Sequence, residues 1–175
     1  AATGTAQHPL ARRLGEALRR HDLPLAALDA MAEATDEDLR GQTPWSREDL
    51  VGHCARGGGS FGELLARVAG TPPDAGRELG AAARLAEILR DLGGDLRRER
   101  CRLPGADLEA AGLAPNLERL REPGHRERLR ALLGEVALLA RTGRLRTGPA
   151  GRWYALRHAL LDELERGGFD VLDAK

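Results

Sequence analysis

Apolar residues recur three and four positions apart along this chain, and that spacing is typical of α-helices packed against one another. The clearest run is Leu85, Leu89, Leu92 and Leu96. β-Branched residues are scarce, and glycines and prolines separate the periodic stretches. We therefore expect an all-α fold, with residues 1–175 forming a single-domain helical bundle of about six or seven helices.

The expected helices share amphipathic stripes that need one another for burial. On the first helix, for example, Leu10, Leu14, Ala17 and Leu18 fall on one stripe. Ser46 and Asp49 resemble a capping box that opens the third helix. Approximate bounds are Pro9–Arg20, Leu25–Leu39, Ser46 to the stop at Thr71-Pro72-Pro73, Asp74–Arg98, Asp107–Ala111, His125–Arg141 and Gly151–Arg166.

The charge balance and the cysteine content exclude several classes of protein. Lys and Arg together number 27, as do Asp and Glu, so the formal net charge of +0 argues against a nucleic-acid partner. No apolar run approaches the roughly 20 residues of a membrane span. Cys54 and Cys101 are too few and too far apart for a disulfide framework, which fits a reducing, cytoplasmic compartment.

An acidic column is predicted on one face of the fourth helix, Asp74–Arg98. Glu87, Asp91 and Asp95 lie four residues apart, which places their side chains on the same side of a helix. Mg²⁺ commonly uses one or two protein carboxylates and takes its other oxygens from water and phosphate. Guanidinium groups that could bind phosphate follow at Arg97, Arg98 and Arg100. The alternative is a solvated helix face with ordinary salt bridges.

A run of three glycines, Gly57 to Gly59, interrupts the third helix. Each glycine costs roughly 0.8–1 kcal/mol relative to alanine inside a helix, so the run needs a physical reason. Three reasons are open at this point: another helix approaches closely, a bulky apolar ligand lies against the bare backbone, or the helix breaks.

Two blocks of the chain resemble the squalene/phytoene synthase family of isoprenyl diphosphate synthases. One block contains Leu79-Gly80, Ile88-Leu89-Arg90-Asp91, Asp95, Arg100 and Leu103-Pro104, in the order of the family's second aspartate-rich motif. The other runs from His53-Cys54-Ala55-Arg56 through Gly59-Ser60-Phe61-Gly62. Weaker matches at Leu23-Pro24 and at Gly168-Phe169-Asp170-Val171 extend the resemblance over nearly the whole chain.

The resemblance implies the isoprenoid synthase fold and the Mg²⁺-dependent joining of two prenyl diphosphates. It implies that Asp91 and Asp95 bind Mg²⁺ bridged to a diphosphate, and that Arg100, with Arg97, binds phosphate. It also implies that Gly57 to Gly59 line the tunnel for the prenyl chains. Metal and arginines would draw charge from the leaving diphosphate, while a dry pocket shelters the carbocation.

The chain departs from the family pattern at several positions beside this site. The family's first aspartate-rich motif would lie upstream of the matched region, and this chain contains no candidate for it. Arg84 and Glu87 replace the family's glutamine and asparagine on the motif helix. His53 and Ala55 replace two tyrosines, and Gly57-Gly58 replaces Val-Ala.

Two functions are consistent with these departures. In the first, the chain is a prenyl diphosphate-processing transferase completed by a missing segment, a partner subunit or a second copy of itself. The initial Ala is consistent with this, because it means that the initiator Met was removed or that the natural start lies elsewhere. In the second, the chain is a non-catalytic relative that binds a prenyl lipid or assembles with another protein. Either function allows peripheral contact with a membrane.

Overall fold

The computed structural model describes residues 7–113, 120, 122–141 and 148–172. Its regular elements are all helical, and the described residues contain no β-strand. Within these residues there are seven helical segments, because α3, a short π-turn and α4 run on without a break. The expectation of an all-α bundle is confirmed.

The helical elements follow one another with short connections. Their bounds are α1 Pro9–Arg20, α2 Leu25–Leu39, α3 Arg47–Cys54, the π-turn Ala55–Gly59, α4 Ser60–Val68, α5 Pro73–Leu96, α6 Gly105–Ala110, α7 Pro123–Ala140 and α8 Gly148–Arg166. Each agrees with the sequence-based bounds to within a few residues. No described helix is both long enough and apolar enough to cross a membrane.

The start of α3 is fixed by the predicted capping box. The Ser46 Oγ accepts a hydrogen bond from the Asp49 backbone N–H at 3.0 Å. The Ser46 backbone N–H donates to the Asp49 carboxylate at 2.9 Å in return. Two amide groups that the first helical turn would leave without partners are thereby satisfied.

α5 is the central helix of the bundle and supplies much of its core. Leu85, Leu89, Leu92 and Leu96 are all buried, as their spacing predicted. They pack in one cluster with apolar residues of α3, α7 and α8. Burying a leucine side chain contributes about 1.5–3 kcal/mol, so this cluster holds the backbone of α5 in a fixed position.

The expected burial of α1 is wrong. None of its residues is buried, and Leu10 and Leu14 are 68% and 43% exposed. The amphipathic stripe is present, but no other described element packs extensively against it. Periodicity identifies an apolar face and cannot say whether another helix reaches that face.

Candidate functional site

Four glycines bring two helices together at backbone distance. Gly58 in the π-turn and Gly62 in α4 face Gly76 and Gly80 in α5. A methyl group built on any of the four would overlap a backbone carbonyl of the opposite helix. The glycine run therefore serves a close helix–helix approach, the first of the three reasons that its sequence left open.

The π-turn also changes which way the helix faces. Before it, Leu50 and Cys54 are buried in the core. After it, Phe61, Leu65 and Val68 are exposed, although all five repeat at helical spacing in the sequence. A π-turn inserts one residue into the helical repeat, and such turns are frequent at functional sites.

The exposed apolar residues of α4 form one wall of a groove of 370 Å³ between α4 and α5. The close approach of the glycines forms its floor, and the side chains of Arg84 and Glu87 stand at its polar end. Its principal apolar lining residues are Phe61, Leu65, Ala66, Val68, Leu79 and Ala83.

The three glycines predicted to line a prenyl tunnel occupy different positions. Gly58 lines the groove. Gly57 instead faces Ala34 of α2, where an added methyl would lie 3.5 Å from the alanine Cβ. Gly59 is buried against Arg77 of α5. The three glycines thus make three different contacts and do not form one continuous wall of the groove.

Asp91 lies on the exposed side of α5. Its carboxylate accepts two hydrogen bonds from Arg90, at 2.7 and 2.9 Å, and about half of each side chain is exposed. The hydrogen bonds from Arg90 hold the pKa of Asp91 below its usual value. Asp91 is therefore charged at neutral pH and accessible to a cation from solution.

Glu87, one turn before Asp91, connects this face to the groove. Its carboxylate lies 3.5 Å from Arg84 Nη1, and it is also partly exposed. Arg84 in turn donates to Asp38 of α2 at 2.9 Å. The cation and the anion that replace the family's two amides therefore pair with each other at the end of the groove.

Asp95 has surroundings unlike those of Asp91. It is 8% exposed, and its carboxylate accepts a short hydrogen bond from Arg102. Arg102 also donates through Nε to Asp38, at 2.9 Å. The two aspartates of the predicted metal pair thus share a helix face, as their spacing indicated, and have different arginine partners.

His53 joins this arrangement from α3. Its Nδ1 lies 2.9 Å from Glu37 and its Nε2 lies 3.4 Å from Asp38. Arg56 also donates to Glu37, at 2.7 Å. The hydrogen bonds from His53 and then Arg56 lower the pKa of Glu37. We call this set the arginine–carboxylate cluster: Glu37, Asp38, His53, Arg56, Arg84, Asp95 and Arg102.

Sequence reasoning missed Arg102, Glu37 and Asp38 as members of this cluster. The acidic end of α2 was visible as Asp36-Glu37-Asp38, but nothing local indicates that it folds against α5. Arg102 lies next to the matched Leu103-Pro104, and its adjacency to that motif was the one available signal.

The predicted phosphate-binding arginines lie beyond the end of α5. Arg97 and Arg100 are exposed, on the turn in which Glu99 adopts a positive φ of 58°. In the described part of the chain, neither side chain forms an ion pair. Both guanidinium groups are therefore available to an anion on this side of the helix.

The donor set on α5 fits one side of a Mg²⁺ site. Hard carboxylate oxygens are the right ligands, and Asp91 is accessible to the metal. Arg102 bonds the Oδ2 atom of Asp95, so Asp95 can offer that oxygen to a metal only by exchanging Arg102 for it. Across the described ranges, no group of three or more His, Cys, Asp or Glu side chains is arranged to enclose a metal ion. Phosphate oxygens and water would have to supply the other ligands.

Neither cysteine has the character of a nucleophile. Burial raises the pKa of Cys54 to about 12, and it also raises the pKa of Cys101. Both thiols lie in the core. The chemistry of this surface therefore depends on carboxylates and guanidinium groups.

Comparison with known proteins gives a consistent result. The sequence profile of the squalene/phytoene synthase family matches residues 1–175. A phytoene synthase of Thermus thermophilus is 34% identical in a 173-position alignment that covers 91% of this chain and 59% of that protein. A phytoene synthase of Mycobacterium tuberculosis is 27% identical in a 165-position alignment that covers 90% of this chain and 51% of that protein.

A solved structure shares the fold. The squalene synthase HpnC from Alicyclobacillus acidocaldarius superposes with a TM-score of 0.76 at 24% identity, covering 94% of this chain and 68% of that one. This chain spans between half and three fifths of the length of the two phytoene synthases. The region matched by this chain is thus one part of each of these longer relatives.

Proposed function

The chain belongs to the squalene/phytoene synthase family, and on that premise we propose that it is a prenyl diphosphate-binding transferase of isoprenoid biosynthesis. One observation carries the proposal. An apolar groove ends at Arg84 and Glu87, and Asp91 lies one helical turn farther along α5. An apolar site that ends in carboxylates and arginines suits a ligand with a hydrocarbon chain and a charged head.

The groove supplies the hydrocarbon part of the site. Its 370 Å³ lies within the range of small-molecule sites, and its lining is mostly apolar. The glycine floor permits a chain to lie close to the backbone. Excluding water from such a groove would protect a carbocation formed at the head of the chain.

The charged part of the site would hold the diphosphate. We propose that Asp91 and Asp95 would hold a Mg²⁺ ion beside the diphosphate, and that Arg97 and Arg100 would contact the phosphate oxygens. When bound, the metal neutralises the charge that develops on the leaving diphosphate. The chain's own contribution is to place Asp91 on a helix that the core holds rigid.

The site proposed here holds one side of one diphosphate. We infer that joining two substrates needs a second aspartate-rich helix facing α5, supplied by a further segment, a partner subunit or another copy of the chain. Two observations support such a covering element. Phe61, Leu65 and Val68 are exposed beside the groove, and Leu10 and Leu14 are exposed on α1.

The same exposed faces favour one alternative function. A relative that has lost catalysis could keep the groove for a prenyl lipid and use α1 to assemble with another protein. Under either function we propose a cytoplasmic protein. Peripheral membrane contact would be through α1, whose exposed leucines stand beside Arg12, Arg13, Arg19 and Arg20.

A thermal-shift experiment tests the proposal. With Mg²⁺ and geranylgeranyl diphosphate together, we expect a larger rise in Tm than the two separate rises combined. Asp91→Asn should abolish this joint effect, since it removes the accessible metal ligand. Asp36→Asn is the matched control, because Asp36 is an exposed aspartate with an arginine partner, Arg40, away from α5.

Absence of any joint effect in the unaltered chain would contradict the proposal for this chain alone. Ligand binding that is independent of Mg²⁺ and survives Asp91→Asn would instead favour the non-catalytic alternative.

A further inference from the structure

Among the described residues, Arg102 alone joins the predicted metal pair to the rest of the arginine–carboxylate cluster. Its guanidinium bonds Asp95 on α5 and Asp38 at the end of α2. Only 15% of its side chain is exposed. A guanidinium therefore already bonds the Oδ2 atom of Asp95 and competes with a metal ion for that oxygen.

We propose that Arg102 is an internal counter-cation that restrains Asp95, so that a divalent metal gains the Oδ2 atom of Asp95 as a ligand only when this guanidinium releases it. Arg102 is thus a positioning residue that acts through Asp95. The inference rests on the proposed function, because it concerns the metal site assigned there to Asp91 and Asp95.

Burial explains why Asp95 needs a cation at all times. Removing a carboxylate from water is strongly unfavourable unless a positive charge or hydrogen bonds compensate it. Among the described residues, Arg102 is the only side chain bonded to the Asp95 carboxylate. Without metal, Arg102 holds the Asp95 carboxylate in place. With metal, one cation replaces the other and the buried charge stays balanced.

The rest of the cluster keeps Asp38 paired when Arg102 leaves, so that Asp95 is the one carboxylate of the two that loses its partner. Asp38 also accepts from Arg84 at 2.9 Å and lies 3.4 Å from His53 Nε2. It therefore keeps cationic and hydrogen-bonding partners when Arg102 turns away. When Arg102 turns away, only Asp95 loses its cationic partner. The incoming metal then neutralises that carboxylate.

There is room for the guanidinium to move. Arg102 lines a polar cleft of 270 Å³ between α2 and α3, together with Glu37, Gln42 and Asp49. The backbone that follows Arg102 is fixed, because Leu103 is fully buried. Release is thus a rotation of one side chain into a cleft that already contains carboxylates to receive it.

Asp91 differs from Asp95 in the exposure of its arginine partner, and this difference indicates which aspartate binds the metal first. Its Arg90 partner is half exposed, and exposed ion pairs of this kind contribute little to stability. A metal can displace Arg90 at little cost. We therefore expect Asp91 to bind the metal first and Arg102 to limit the affinity that Asp95 adds.

The test measures Mn²⁺ binding without substrate, from the electron paramagnetic resonance signal of the free ion. Arg102→Gln should bind Mn²⁺ about tenfold more tightly than the unaltered chain, a coupling within the range seen between competing ligands. Adding Asp95→Asn to that variant should return the affinity to its original value. Arg47→Gln is the matched control, because Arg47 also bridges two carboxylates, Asp107 and Glu135, and should leave Mn²⁺ binding unchanged.

The outcomes separate the inference from the proposed function. If Asp91→Asn abolishes Mn²⁺ binding while Arg102→Gln fails to tighten it, the inference is overturned and the metal site stands. If Asp91→Asn binds Mn²⁺ as the unaltered chain does, the proposed metal site is overturned. Damage to the fold would weaken binding, so it cannot imitate the expected gain.

A second variant serves if Arg102→Gln does not fold. Arg102→Lys keeps a positive charge and cannot bond both carboxylates in the forked geometry of arginine. Its Mn²⁺ affinity should lie between those of the unaltered chain and the expected value for Arg102→Gln. An affinity equal to or below that of the unaltered chain would contradict the inference.

Discussion

Gly58 in the π-turn and Gly80 in α5 contact each other through their backbones, with no side chain between them. A methyl group on Gly58 would overlap the carbonyl oxygen of Gly80, and one on Gly80 would overlap the carbonyl oxygen of Gly58. Gly62 and Gly76 repeat this relationship one turn along. The two helices can pack this closely only because all four positions lack a Cβ.

Replacing one of these glycines should therefore destabilise the fold. For Gly80→Ala we expect a loss of about 1–3 kcal/mol in the free energy of unfolding, because the added methyl forces two backbones apart. Urea denaturation followed by circular dichroism measures it. Gly94→Ala on the same helix is the control, since its nearest neighbours are mobile arginine ends at 3.7 Å or more. Alanine should be neutral or stabilising there, and equal losses at both positions would refute this packing.

Stability should depend on pH through Glu37. Hydrogen bonds from His53 and Arg56 lower its pKa from 4.5 in the folded chain. Its carboxylate therefore stabilises the fold above the unfolded-state pKa, and the contribution is lost as the pH falls through the folded-state pKa. Glu37→Gln should make the loss of stability between about pH 5 and about pH 3 shallower. Urea titrations across that range measure it.

Glu33→Gln provides the comparison for Glu37, because Glu33 is an exposed residue one turn earlier on α2. It should leave the slope of stability against pH unchanged. An identical slope for Glu37→Gln and the unaltered chain would contradict the assigned role of Glu37.

Both cysteines should resist alkylation in the folded chain. With a pKa of about 12, only about one Cys54 thiol in 10,000 is ionised at pH 8, and the side chain is 2% exposed. Cys101 is buried with its pKa raised in the same direction. Mass spectrometry after iodoacetamide treatment should show no adduct in native buffer and two adducts in urea. Rapid native labelling at Cys54 would contradict its burial under α5.

A charge placed in the groove should remove prenyl binding without unfolding the chain. Leu65→Arg introduces a cation into the apolar wall, and because Leu65 is 41% exposed, the free energy of unfolding should change by less than about 0.5 kcal/mol. The thermal shift with geranylgeranyl diphosphate should disappear. Leu138→Arg on α7 is the control, since Leu138 is also exposed and lies outside the groove. A thermal shift that persists in Leu65→Arg would show that the prenyl chain binds outside this groove.

Much of the fold was predictable from the sequence, because its signals are local. The leucines of α5 repeat at helical spacing and are buried together. Ser46 and Asp49 cap α3 as their spacing indicates. By contrast, the stripe of α1 was wrongly expected to be buried, because burial depends on a second element that periodicity does not reveal.

The site was predictable only in part. The four-residue spacing of Asp91 and Asp95 placed them on one helix face. Their different burial depends on Arg102 and on the end of α2, which are distant from one another along the chain. The reason for the glycine run likewise depended on Gly76 and Gly80, which lie on another helix. Metal binding by the two aspartates stays a prediction.

The π-turn at Ala55–Gly59 has a consequence for how related chains can vary in length. Each residue of an α-helix advances the chain by about 100°, so deleting one residue from this turn would restore a regular helix and rotate α4 by that angle. Gly62 would then leave α5 and a bulky side chain would take its place. Relatives that lack the extra residue should therefore lack this glycine pairing as well, and a one-residue gap here should coincide with different residues at the positions of Gly76 and Gly80.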